Sequence, residues 1–332
     1  MANSEDQTAK GEGARGHDII LIGASTGGLA ALREVLTHLP KDLPASVFIV
    51  LHQPTEARSE LATILERHCA LPVSYAVHGE RIERGRVYVA PVDNHMLVRD
   101  DLLVVVRGPR ENGHRPALNP LFRSAAQSFG PRVVAVVLTG ALDCGSAGLL
   151  AVKARGGVGV AQDPASAACP DMPRNAIETG AVDHVVKLED IAPLLVSLAK
   201  TRAEEPRMAQ NLEDAPKPFS FVTCPTCHGS LTEKVEGSTL EFACHVGHAF
   251  SLRSLYSEQA DQVEGALWAA VRALEESTSL AQRLAQTSSG SLQARFFDRE
   301  RTMKQHADTL RTILLQGGLP ARADVVSHAE LD

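Results

Sequence analysis

The chain has 332 residues, of which 44% are hydrophobic and only 4% aromatic, and its formal net charge is −7. At about 150 residues per domain this suggests two domains, with a core built mostly from Val, Leu, Ile and Ala. The negative balance argues against nucleic acid or an anionic membrane surface as the main partner, and no apolar run approaches the roughly 20 residues of a membrane span.

Residues 1–17 are polar and Gly-rich with no apolar signal core, which predicts a disordered tail on a cytoplasmic protein. The apolar run from Ile19 to Ile22 then breaks into Gly-Ala-Ser-Thr-Gly-Gly, and an Ala/Leu-rich helical pattern follows. This is the pattern of a buried strand, a tight turn and a helix, with Ser25 at the turn. Free backbone amides at such a turn favour negative charge. The next strand, Ser46 to Leu51, ends in His52, an address where a dinucleotide fold would place an acidic residue for the ribose. The glycine spacing also differs from Gly-x-Gly-x-x-Gly, and no Lys-Ser or Lys-Thr follows to make a phosphate loop. On residues 18–52 alone three readings stand: Ser25 as nucleophile with His52 as its base, an anion-holding turn, or a glycine turn that only packs a helix on a sheet.

Further along, Leu61 to His68 reads as helix, Val73 to Val77 and Arg86 to Pro91 as strands, and His95 to Val98 with Leu102 to Arg107 as a hairpin about Asp100-Asp101. Leu118 to Phe129 reads as helix, Val133 to Leu138 as a strand covered on both faces, and Gly145 to Arg155 as helix. Gly157 to Ala161 is a strand, Pro173 to Thr179 a short helix and His184 to Leu188 the last strand. Strands alternating with helices over 18–200 predict a doubly wound, mostly parallel α/β sheet. Ser25, His52 and the loop 139–145 would then share the carboxyl edge, where such sheets bind ligands.

Residues 201–218 hold three prolines and many charges and read as a linker. Of the six cysteines, Cys69, Cys144 and Cys169 are scattered, whereas Cys224, Cys227 and Cys244 cluster with histidines in 219–250. Cys224-Pro-Thr-Cys227 followed by Cys244-His245-Val-Gly-His248 is ribbon-type metal spacing, and a module this small needs a metal in place of a core. A structural zinc on Cys224, Cys227, Cys244 and His248 is predicted; His248 is preferred to His245 because adjacent ligands are strained, and His228 is a spare. From Ser251 to the end, an apolar stripe broken at Ser288 to Ser291 predicts a helical hairpin and tail.

Six stretches in order, GASTGG (23–28), VLHQP (50–54), YVAPVDNHM (88–96), HRPALNPLF (114–122), VVLTG (136–140) and AQDPASAACPDMPRNAI (161–177), make residues 18–200 resemble the catalytic domain of the CheB chemotaxis methylesterases. The resemblance implies hydrolysis of glutamyl methyl esters on chemoreceptors or other carboxyl-methylated signalling proteins, deamidation of glutamine as a second activity, and no catalytic cofactor. Carried over by position, Ser25 is the nucleophile and His52 its base. The oxyanion amides come from Thr26 and the 140–142 turn at Ala141, and His95, His114 and Arg115 hold cleft positions. The chain departs from the family at the third triad member: Thr139-Gly140-Ala141-Leu142-Asp143-Cys144-Gly145 puts Cys144 on the catalytic aspartate, with Asp143 beside it as the substitute candidate. A neutral thiol orients an imidazole poorly. The expected enzyme therefore has reduced activity, and the competing expectation is an inactive scaffold that signals by contact. The family's receiver domain has no counterpart in the 17 residues before the first strand, so gating by phosphorylation in cis is not expected. The carboxyl-terminal helices are expected to dock a protein partner.

Overall fold

A computed structural model describes residues 16–53, 60–203, 219–236 and 239–316. Most of the expected amino-terminal tail (1–15), most of the expected linker (204–218) and Pro54 lie outside the described residues. The chain forms two compact units, Met1–Leu252 and Arg253–Asp332.

In chain order the first unit contains β1 (Ile19–Ala24), α1 (Gly28–Thr37), β2 (Ser46–Leu51), α2 (Leu61–Glu66), β3 (Val73–Tyr75) and β4 (Arg86–Val89). A separate hairpin, β5 (His95–Arg99) and β6 (Leu102–Val106), precedes α3 (Leu118–Phe129), β7 (Val133–Val137), α4 (Ser146–Ala154) and β8 (Val158–Gln162). Then come α5 (Asp171–Glu178), β9 (His184–Val186) and α6 (Leu188–Lys200). The seven-stranded sheet has the order β3-β4-β2-β1-β7-β8-β9, and every neighbouring pair is parallel.

Alternation along β1 explains why its residues are all apolar. Ile20, Ile22 and Ala24 join the cluster under α1, α2 and α6, while Ile19 and Leu21 join the cluster under α3, α4 and α5. A strand covered on both faces has no polar side. The predicted doubly wound sheet is thus present, with shorter strands than expected: β3 stops at Tyr75, β4 at Val89 and β9 at Val186. Leu188, expected in the last strand, instead opens α6, a helix that the sequence hides because Pro193 lies inside it. The order reverses at β1, which sits between β2 and β7, so the carboxyl end of β1 is a topological switch point.

The first unit ends in a four-stranded antiparallel sheet, β10 (Phe219–Thr223), β11 (Ser230–Glu236), β12 (Thr239–Cys244) and β13 (Ala249–Ser251). It is joined to the esterase-like half by main-chain bonds from Asn112 N–H to Ala249 O (2.8 Å) and from Ala249 N–H to Arg110 O (3.4 Å). Arg123 spans the same junction, with Glu111 at 2.5 Å and Glu241 at 3.5 Å.

The second unit is a helical hairpin, α7 (Leu252–Thr287) and α8 (Gly290–Leu315). Gln293 bonds Ala285 O near the turn and Arg311 pairs with Glu275 farther from it, so the helices run antiparallel. Among the described residues no helix is long and apolar enough to cross a membrane.

Candidate active site

Parallel pairing of β1 with β2 puts Ala24 opposite Leu51, and the next residues in that register are Ser25 and His52. His52 N–H bonds Ala24 O at 3.1 Å, so the two strand ends stay together past the last ladder pair. Ser25 is held by its own amide, which bonds Thr139 O at 3.0 Å across the gap to β7. The turn that follows needs glycine: Gly27 has φ +76°, and a Cβ there would lie 2.7 Å from the Ala168 Cβ. The loop after β7 needs it as well. A Cβ on Gly140 would sit 2.8 Å from the Ser25 Cβ and 2.1 Å from the Met172 Sδ.

Thr139 and Gln162 tie these pieces together. The Thr139 hydroxyl lies 2.9 Å from Thr26 O and 3.2 Å from Cys169 O, and accepts the Cys169 amide at 2.8 Å. Gln162 Oε1 receives the Thr139 amide at 3.0 Å. Leu142 adopts φ +62°, a costly conformation for a branched side chain, and Asn175 Nδ2 fixes its carbonyl at 2.7 Å. The Gly140 amide is committed to Cys169 O and the Gly28 amide to Ser25 O. The amides of Thr26 and Ala141, the expected oxyanion donors, have no acceptor among the described residues.

His52 stacks on His114, with ring centroids 3.7 Å apart and planes inclined by 18°. Both ring nitrogens of His52 are buried and have no hydrogen-bond partner among the described residues. Burial, and then the neighbouring His114, hold its pKa well below 6.5, so the ring is neutral and able to accept a proton. His114 is carried by the loop 108–117. Arg115 braces that loop through Asp93 (2.6 Å) and Gly108 O (2.7 Å), and it is committed to these partners. His95 braces it too: its Nδ1 accepts the Ala117 amide at 3.3 Å, which leaves Nε2 to donate to Pro109 O at 2.7 Å.

The expected pairing of Asp143 with His52 is not present. Asp143 instead accepts a 2.7 Å bond from the Ser251 hydroxyl at the end of β13. Cys144 does not reach His52 either. Its thiol is buried beside the first amides of α3, at Leu118 and Asn119, and burial together with the charges of Glu111 and Asp143 pushes its pKa up to about 12. Asn119 performs a related task in α4. Its Oδ1 takes the amides of Gly145 and Gly148 at 3.0 and 2.9 Å, capping a helix whose own N-cap is glycine. The sequence offered Asn119 and Gln162 inside the quoted stretches, but nothing pointed to Ser251, which lies 108 positions from Asp143.

In the carboxyl-terminal sheet, the ligand atoms of Cys224, Cys227, Cys244 and His248 lie within 4.8 Å of one another, a group that could hold a metal ion. Cys227 and Cys244 sulfurs are 3.6 Å apart and Cys244 Sγ lies 3.5 Å from His248 Nδ1. A disulfide needs about 2.05 Å. Tetrahedral zinc, with Zn–S near 2.3 Å, gives ligand edges of about 3.7 Å, which these separations match.

Residues 20–195 match the family described as CheB methylesterase. A protein-glutamate methylesterase/protein-glutamine glutaminase of Koribacter versatilis is 42% identical over 182 residues, 54% of this chain and 50% of that protein. A protein of Moorella thermoacetica with the same name is 42% identical over 188 residues, 55% of this chain and 44% of that protein. The chain therefore spans about half the length of these relatives. A putative protein-glutamate methylesterase/protein-glutamine glutaminase of Leptospira interrogans is 37% identical over 190 residues, which are 98% of its length. The crystal structure of the Thermotoga maritima CheB methylesterase catalytic domain superposes with a TM-score of 0.53 at 32% identity, covering 55% of this chain and 98% of that one. The switch-point serine, the neighbouring histidine and these likenesses agree: the chain belongs to the CheB methylesterase family.

Proposed function

We propose that the protein is a protein-glutamate methylesterase acting on chemoreceptors or similar carboxyl-methylated signalling proteins, with glutamine deamidation as a second activity. The observation that supports this reading is the register of β1 and β2, whose adjacent carboxyl ends carry Ser25 and His52, together with Thr26 and Ala141 amides that have no acceptor among the described residues. Ser25 Oγ attacks the ester carbonyl as His52 takes its proton; the tetrahedral oxyanion rests on the two amides, each worth roughly 10²–10³ in rate. His52 returns the proton to the departing methoxide, releasing methanol. Water, deprotonated by the same ring, then splits the glutamyl-serine ester to free glutamate and Ser25.

The second reading, a weak or inactive scaffold, is favoured by one specific observation: among the described residues no carboxylate meets the buried nitrogens of His52. Labelling with a serine-reactive fluorophosphonate, followed by methanol release from a methylated receptor peptide, separates the two. Labelling lost in Ser25→Ala supports the enzyme; no labelling and no methanol release support the scaffold.

The three thiolates and one imidazole fit a structural zinc, since four protein ligands leave no open position for catalysis. The helical hairpin is read as a docking element for a protein partner, supported by Tyr256, Val263, Leu280 and Leu284 on its exposed surface. A cytoplasmic setting accords with cysteines kept as thiols.

A further inference from the structure

Two loops at the carboxyl edge of the sheet, the one that carries His114 and the one that carries Ala141, are both held by one residue from outside the family-matching span. Ser251 ends β13. Its hydroxyl donates to Asp143 Oδ1 at 2.7 Å, and its amide donates to Asn112 Oδ1 at 2.8 Å. Asp143 belongs to the loop after β7 that carries Ala141. Asn112 belongs to the loop that carries His114. Two positions before Ser251, Ala249 exchanges main-chain bonds with Arg110 and Asn112, so β13 lies along the His114 loop as a short parallel bridge.

The geometry points to Ser251 as a positioning residue of the esterase site, through which the Cys/His module fixes the loop that presses His114 against His52. This rests on the esterase reading for its kinetic consequences only.

Three features give the contact its weight. Asn112 is 3% exposed and has φ +51°, so this buried residue is set in a conformation that its outside partners must maintain. His114 follows two residues later, and its ring face is the polar neighbour that the orphaned imidazole of His52 touches. Among the described residues no carboxylate bonds the ring nitrogens of His52, and the stacked His114 ring is the contact that the structure gives it. The module end is anchored as well. His248 O accepts the Cys244 amide at 3.0 Å, and Phe242 pairs with Phe250, so a metal on Cys244 and His248 would fix the turn that delivers Ala249 and Ser251.

The test uses the full chain with Ser251→Ala and Ser251→Thr, the latter keeping a hydroxyl. One readout is the rate of Ser25 labelling by a fluorophosphonate; the other is the ¹⁵N-histidine NMR spectrum, with His52 assigned through His52→Gln. Ser251→Ala is expected to slow labelling about tenfold, within the penalty of a slightly misplaced group, and to move the His52 ring resonances. Ser251→Thr is expected to recover both. Stripping zinc with a chelator is expected to reproduce the Ser251→Ala spectrum in the parent and to add nothing in the variant. Unmoved His52 resonances in Ser251→Ala, or labelling that is unchanged or faster, would overturn the assignment. If the parent chain takes no label at all, the esterase reading fails, and the NMR comparison still decides the positioning role.

Discussion

The imidazoles of His52 and His114 lie face to face at 3.7 Å, one on the strand end beside Ser25 and the other on a loop braced by the carboxyl-terminal sheet. The stack covers a face of the His52 ring and leaves its two edge nitrogens without a partner among the described residues, which has consequences for both rate and stability.

The first concerns the acid limb of activity. A base must be neutral, and burial followed by the like charge of His114 keeps His52 well below 6.5. Ser25 labelling is therefore expected to stay level from about pH 8 through about pH 6.5 and to fall only in more acidic buffer. His114→Phe keeps an aromatic face and removes the charge, so the limb should move upward, by less than burial contributes. A parent limb centred at or above 6.5 would contradict the neutral, buried ring.

Stability should follow the buried histidines His52 and His95. Burial is the leading cause that holds both below the ordinary histidine value of 6.5 in the folded chain. Below about pH 6.5 the unfolded chain takes up protons that the folded one refuses, so folding stability falls with pH, approaching about 1.4 kcal/mol per pH unit per histidine. Urea midpoints compared at about pH 7 and about pH 5.5 measure this. The expected shift is to lower urea in acid and smaller in His95→Gln.

Position 144 offers a gain of function. Its side chain already sits at the first amides of α3, which lack any side-chain cap, and such amides welcome a carboxylate. Cys144→Asp is expected to raise turnover at least about tenfold if its longer carboxylate turns from these amides to the His52 ring, which the thiol does not reach, against the roughly 10⁴ that losing a triad aspartate costs in serine proteases. No gain, together with activity abolished in Asp143→Ala, would make Asp143 the working carboxylate despite its bond to Ser251.

Gly140 should tolerate no side chain. The added methyl of Gly140→Ala would press on the Ser25 Cβ at 2.8 Å, an atom fixed to the backbone, whereas the Met172 side chain can flex. Labelling is expected to drop by about a hundredfold with circular dichroism unchanged, since a misplaced nucleophile costs on that order.

Metal analysis should find one zinc per chain. Cys224→Ser is expected to lose it and to expose the β10–β13 sheet to protease, because so small a sheet has few buried apolar residues beyond Leu231, Phe242 and Phe250. Full protease resistance without zinc would remove its structural role.

Much of this was legible in the residues. The apolar β-branched runs at 19–22, 46–51 and 133–137 could only be buried parallel strands, and their ends brought Ser25 and His52 to one edge. Ligand spacing likewise gave the four metal-binding candidates. What stayed hidden involves tertiary contact. Ser251 and Asp143 carry no pattern linking them, and the thiol of Cys144 turned to α3 by packing that no local rule encodes. The helix Leu188–Lys200 was masked by an internal proline that its apolar face outweighs.

Cutting the chain after α6 would look like a natural way to isolate the hydrolase half, because the family match stops at residue 195. Such a fragment loses Ala249 and Ser251, so the Asn112 amide loses the Ala249 carbonyl and Asp143 loses the Ser251 hydroxyl. Water takes the place of these partners, and the His114 loop loses the β13 bridge that holds it. Measurements on the trimmed half would describe a differently braced His52–His114 pair from the one in the whole chain.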